Sequence, residues 1–194
     1  MIRAVIFDCF GVIVGKGFDY TYTLAGGDPK QDRQFLDDKL KQANLGLISE
    51  NDFNKAMAKN LGQSDSEWQA ILAKAEKADA ELLDYIASLR KKYKTAVLSN
   101  SNKGVLKQKI GEEQLEKCFD EVVCSAEVGM IKPSPHIYKL TANRLKVEPE
   151  ECVFIDDHVS FVEAAKTIGM HALVYKDLPS LKHALEALAV NPKT

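Results

Sequence analysis

The sequence predicts an α/β fold: a Rossmann-like parallel sheet with helices on both faces, plus an all-helical insertion after the first strand. Three observations carry that prediction. Apolar β-branched runs alternate with helical periodicity from residue 79 onward, each apolar run gives way to polar or turn residues, and the stretch 16–78 shows helical patterns with no strand between them.

The first strand is Arg3-Ala4-Val5-Ile6-Phe7, apolar without alternation after Arg3, as expected of a central strand buried on both faces. Asp8 ends it, and Cys9-Phe10-Gly11-Val12-Ile13 follows, so a carboxylate stands where a buried strand enters a Gly-containing turn. In open α/β sheets that edge is the ligand crevice. Helical patterns then cover 32–43, 49–60 and 64–77, the last opened by the capping-box run Ser64-Asp65-Ser66-Glu67. The expected organisation is a core of residues 1–15 and 79–194 with a helical cap over 16–78, a lid able to exclude water and select a substrate.

Beyond the insertion, 80–93 places Leu82, Leu83, Ile86 and Leu89 on one helical face. Buried strands are expected at 95–98, 121–124, 152–155 and 171–175, with helices at 103–110, 135–145 and 159–168 between and beside them. Ser134 is placed to cap the 135–145 helix with Pro135 in its first turn, and Gly169 stops the next. Strand-helix alternation of this kind implies parallel strands and right-handed crossovers.

Composition excludes more than it identifies. A chain of 194 residues that is 45% hydrophobic can bury one substantial core with a modest insertion. Its 26 basic and 28 acidic residues leave a net charge of −2, and no basic run exceeds Arg90-Lys91-Lys92, so nucleic acid is not an expected partner. A small anionic metabolite is. Cys9, Cys118, Cys124 and Cys152 lack zinc or disulfide spacing and read as free thiols of a reducing cytoplasm. Asp8 interrupts the apolar start, no cleavage site follows, and no stretch has membrane-spanning length, so a soluble cytoplasmic protein is expected. Oligomeric state is not legible.

If the sheet is parallel, Asp8, the run Ser99-Asn100-Ser101-Asn102 and Asp156-Asp157 converge on one edge, and Lys132 reaches it from the loop after the third strand. Three neighbouring carboxylates repel unless cations sit among them, which calls for Lys132 and a divalent metal. Oxygen-only ligands suit Mg²⁺. Ser99 Oγ and the Asn100 backbone N–H can hold phosphate oxygens.

These stretches resemble, in order, the four motifs of the haloacid dehalogenase superfamily: Phe7-Asp8-Cys9-Phe10-Gly11-Val12-Ile13, Leu98-Ser99-Asn100, Val128-Gly129-Met130-Ile131-Lys132-Pro133, and Phe154-Ile155-Asp156-Asp157. Gly46-Leu47-Ile48-Ser49 is similar to that family's small helical caps. The resemblance implies attack of Asp8 on phosphorus, hydrolysis of the aspartyl-phosphate by water, and Mg²⁺ held by Asp8, the Phe10 backbone carbonyl and Asp156. It further implies charge stabilisation by Ser99 and Lys132, with Asp157 completing the metal shell or orienting Lys132, and Asn100 lining a site for a small phosphorylated metabolite.

Two positions depart from the family pattern. Phosphatases of the family usually carry an aspartate two residues after the nucleophile as general acid, and this chain has Phe10. Loss of such an acid costs on the order of 10²–10⁴ in rate, which favours leaving groups that need little protonation, such as sugar-1-phosphates, acyl phosphates or aryl phosphates. The second is Phe161, where asparagine often follows the carboxylate pair. Phe10-Gly11 also resembles the dehalogenase branch, with Arg33 as a halide cradle, but that branch needs no carboxylate pair and usually has threonine at the place of Val12. The third reading is a catalytically degenerate protein that binds a ligand or partner. Smaller features read plainly: Cys9 as a buried thiol, Trp68, Tyr20 and Tyr22 as packing residues, and His158 as a helix cap.

Overall fold

The structure, a computed structural model, describes residues 1–192. Five parallel strands, β1 (Ala4–Phe7), β2 (Lys94–Ser99), β3 (Glu121–Cys124), β4 (Cys152–Asp156) and β5 (His171–Val174), form one sheet in the order β3-β2-β1-β4-β5. β1 is central, and its four residues are fully buried, as a strand covered on both faces must be. β5 is an edge strand and is less buried than its apolar run suggested: His171 is exposed and Val174 is 41% exposed.

The two-residue period of the strands divides the core. Val5, Phe7, Val97, Val153 and Ile155 face α5 (Ala80–Arg90), α6 (Val105–Ile110), α7 (Glu112–Cys118) and α11 (Leu178–Ala187). Ala4, Ile6, Ala96, Leu98 and Phe154 face α9 (Pro135–Leu145) and α10 (Val159–Lys166). Pro135 occupies the first turn of α9, but Ser134 makes no side-chain capping bond there. A short helix, α8 (Ser125–Val128), follows β3 directly.

Between β1 and α5 lie four helices: α1 (Phe18–Leu24), α2 (Arg33–Asn44), α3 (Glu50–Asn60) and α4 (Asp65–Ala75). They carry their own apolar cluster, with Tyr22, Leu36, Phe53, Met57, Trp68 and Leu72 at its centre. Polar tips inside it are satisfied: Trp68 Nε1 donates to Asn54 Oδ1 at 2.9 Å, and Tyr22 Oη donates to Asp32 at 2.7 Å. Trp68 and Tyr22 therefore pack helices together, while Tyr20 lies 44% exposed. The capping box forms, Ser64 N donating to Glu67 Oε2 at 2.8 Å and Glu67 N to Ser64 Oγ at 3.3 Å.

Two adjacent chain segments join the insert to the sheet. Gly15 N donates to Lys77 O at 3.1 Å and Asp79 N to Ile13 O at 2.8 Å. The insert also meets the core through Ser125 Oγ, which donates to Asn44 O at 2.6 Å, and through the partly buried pair Lys109–Glu76 at 2.6 Å. Among the described residues no helix is long and apolar enough to cross a membrane.

Candidate active site

Parallel pairing brings the polar strand ends to one edge of the sheet. β1 pairs with β2 and β4 so that Phe7 lies beside Val97 and Ile155, and the next N–H, that of Asp8, donates to Ile155 O at 2.8 Å. Asp8 and Asp156 thus leave neighbouring strands side by side, and one carboxylate oxygen from each of Asp8, Asp156 and Asp157 lies within 4.8 Å of the others.

Lys132 reaches this group from the turn before α9. Its Nζ sits 2.7 Å from Asp8 Oδ1 and 2.6 Å from Asp156 Oδ2, with all three side chains buried. The lysine backbone is fixed by one amide side chain: Lys132 N donates to Asn100 Oδ1 at 2.8 Å, and Asn100 Nδ2 donates to Lys132 O at 3.0 Å. The His158 N–H donates to Asp156 Oδ1 at 2.8 Å, so both oxygens of Asp156 are held.

Burial lifts the Asp8 carboxyl to about 7, against the opposing pull of Lys132. Burial alone pushes the Lys132 ammonium down, yet Asp8 and Asp156 outweigh it and leave the lysine raised. Asp157 is also raised, chiefly by burial, and its Oδ1 is a buried acceptor without a hydrogen-bond partner. Lys132 pairs with two of the three carboxylates, a buried oxygen of the third has no partner, and every side-chain donor to a cation is oxygen. That set fits a hard divalent ion. Gly11 lets the turn approach: its φ is +86°, and a Cβ there would run into the Asp157 carboxylate.

A cavity of about 590 Å³ opens between this edge and the helical insert. Asp8, Phe10, Asn100, Lys132, Asp157 and Phe161 line its sheet side. Phe10 is half-buried against the core beneath. Ser99 ends β2 fully buried, with its Oγ unpartnered. Arg33 also lines the cavity, but its guanidinium is tied to Asp19 at 2.8 Å and Asp37 at 3.4 Å. Cys9 is buried, and burial together with Asp8 pushes its thiol well up, so it stays neutral. His158 occupies the N-cap position of α10 without a side-chain capping bond, and its ring lies 5.1 Å from that of Phe161.

Sequence reasoning missed the insert's contribution to the cavity wall: Phe18, Asn44, Phe53, Asn54 and Glu76. Helical periodicity shows which face is apolar, and no local signal says which polar residues at its margin look toward the sheet. Ser101 and Asn102 were signalled, as part of the polar run after β2.

The chain is similar to proteins that have been characterised. Over 184 residues the chain is 29% identical to the D-ribitol-5-phosphate phosphatase of Bacteroides thetaiotaomicron, which covers 87% of this chain and 89% of that protein. Over 112 residues it is 37% identical to a phosphorylated carbohydrates phosphatase of Thermotoga maritima, covering 57% of this chain and 51% of that one. A crystal structure of a HAD family enzyme from Bacteroides thetaiotaomicron, in complex with magnesium and inorganic phosphate, matches with a TM-score of 0.71 at 25% identity, over 93% of this chain and 99% of that one. Residues 2–169 match the haloacid dehalogenase-like hydrolase family, and the chain belongs to it.

Proposed function

We propose that the chain is a Mg²⁺-dependent phosphatase of a small phosphate monoester, with residues 16–78 acting as a cap over the site. The observation that carries this reading is the buried clamp of Lys132 between Asp8 and Asp156, with the unpartnered Asp157 oxygen beside it on a cavity wall. Asp8, the Phe10 carbonyl, Asp156 and Asp157 would hold Mg²⁺, which when bound neutralises charge on the phosphoryl oxygens.

Asp8 presents a carboxylate oxygen to phosphorus. The new O–P bond forms as the bond to the leaving oxygen breaks, giving an aspartyl-phosphate and an alcoholate that takes its proton from water or substrate. Water then attacks phosphorus, the Asp8 O–P bond breaks, and phosphate leaves. Lys132 stabilises charge on the transferring group, and Asn100 keeps the lysine in place through its backbone. The unpartnered Ser99 hydroxyl is the proposed second donor, from behind the cavity wall rather than on it.

The two relatives named above favour a phosphorylated carbohydrate or sugar alcohol as substrate. Phe10 narrows the choice to esters whose alcohol departs without help, anomeric sugar phosphates and acyl phosphates ahead of primary alkyl esters. Arg33 is engaged by two aspartates, which weighs against a halide cradle.

The test is phosphate release from p-nitrophenyl phosphate, acetyl phosphate, a hexose 1-phosphate and ribitol 5-phosphate, with and without Mg²⁺, for wild type and Asp8→Asn. Metal-dependent turnover lost in the variant is the expected result. Metal binding with no turnover of any ester would instead assign the fold to ligand binding.

A further inference from the structure

The Lys132 ammonium has three N–H bonds and two oxygen partners. Asp8 and Asp156 take one each, and the lysine is almost wholly excluded from water. What closes the rest of its surroundings is aromatic: Nζ lies 5.0 Å from the centroid of Phe161 and 5.4 Å from that of Phe154. Both separations are within cation–π range, and such contacts are strongest where the cation is desolvated. Phe154 is an interior β4 residue that the core holds in any case. Phe161 is different, because it is half-buried, lines the substrate cavity, and occupies the position where the family often has asparagine.

The Phe161 ring is itself held from two directions. Its backbone carbonyl accepts the Tyr138 hydroxyl at 3.0 Å, and its ring packs on the His158 ring at 5.1 Å. An asparagine side chain there would offer hydrogen bonds, and this chain instead offers a π face to the same cation.

We infer that Phe161 is a positioning residue of the reaction: its ring, as the cavity-side wall of an aromatic enclosure completed by Phe154, keeps the Lys132 ammonium seated between Asp8 and Asp156 and shields it from cavity water. This rests on the phosphatase reading above. A lysine free to turn into the cavity would meet phosphate in the ground state as readily as in the transition state. Losing the ring therefore lowers kcat more than it raises KM.

The experiment has two arms. The first measures kcat and KM at saturating Mg²⁺ for Phe161→Leu, Phe161→Tyr and Phe161→Trp. Leucine is expected to lower kcat about tenfold while KM moves less than about threefold, and the aromatic variants to stay within about threefold of wild type. The second is a double-mutant cycle of Phe161→Leu and Lys132→Met, read by urea unfolding without metal or substrate, with an expected coupling of about tenfold in the unfolding constant. If Lys132→Met does not fold, the kinetic ranking decides. Leucine as active as tyrosine, or a cycle with no coupling in an active protein, overturns the role of Phe161 alone. A folded wild type that turns over no phosphate ester overturns the phosphatase reading and this role with it.

Discussion

Phe10→Asp restores an acid where this chain has none, and the size of its effect depends on the substrate. Phe10 lines the cavity with Asp8 and is half-buried against the core, so removing the ring costs stability of about 2 kcal/mol, a fraction of a fully buried phenylalanine. The new carboxyl enters a cavity whose neighbouring Asp8 is already pushed up to about 7 by burial, and the same surroundings raise the newcomer. A carboxyl raised toward neutrality is well matched to proton donation. For primary alkyl phosphates such as ribitol 5-phosphate, the variant should gain about 10²–10⁴ in kcat, roughly 3–5 kcal/mol of barrier. For p-nitrophenyl phosphate, whose leaving group departs unprotonated, the gain should stay under about tenfold. The assay is kcat against leaving-group pKa over a series of aryl and alkyl esters, with the wild-type slope steep and the variant slope shallow. A folded Phe10→Asp protein with the wild-type slope would refute the argument that the missing acid limits this site.

Three further outcomes follow from the same geometry. Because Asp8 titrates near 7 when folded and near 3.8 when unfolded, the folded protein retains a proton that the unfolded chain gives up, so stability without metal falls as pH rises from about 4 to 7. Urea midpoints should show that decline and Mg²⁺ should flatten it; a midpoint that rises over this range would contradict the assignment. Gly11→Ala forces a side chain into the Asp157 carboxylate at a positive φ, costing about 1–2 kcal/mol from the backbone alone and about 10–100-fold in Mg²⁺ affinity, measurable by urea unfolding and calorimetric titration. Asn100→Ala removes both hydrogen bonds that anchor the Lys132 backbone, and should lose about 1–3 kcal/mol of stability together with a fall in kcat.

How much of this was legible in the sequence depends on how local the cause is. Asp8, Asp156 and Lys132 were legible because each stands where an apolar strand or a Gly-Pro-punctuated loop ends, and parallel pairing then leaves them one destination. β5 was overestimated because an apolar run of four residues looks alike at the centre and at the edge of a sheet. Four helices escaped notice, the four-residue α8 because it is a single turn directly after β3 and the other three for separate reasons. α1 is built from aromatic and β-branched residues with low helix preference. α7 begins with Glu112-Glu113, a pair that reads as a solvated face. α11 carries a readable spacing of Leu178, Leu181 and Leu185 behind an Asp177 cap, and that signal was passed over. Arg33 illustrates the limit of reading a lone charge: Asp37 stands one turn on in the same helix, but the closer partner Asp19 comes from α1, and only packing shows that it holds the guanidinium. Phe161 illustrates the reverse, since its replacement of asparagine was visible while its contact with Lys132 needed the folded chain.

The central claim is that Asp8 carries the phosphoryl group during turnover. Rapid acid quench of the wild-type protein at saturating substrate and Mg²⁺, followed by mass spectrometry of its proteolytic fragments, tests it directly. One phosphoryl group on the fragment containing Asp8, transient in wild type and absent from Asp8→Asn, is the predicted result. Steady phosphate release with no phosphorylated fragment at any quench time would contradict it and point to direct attack by water.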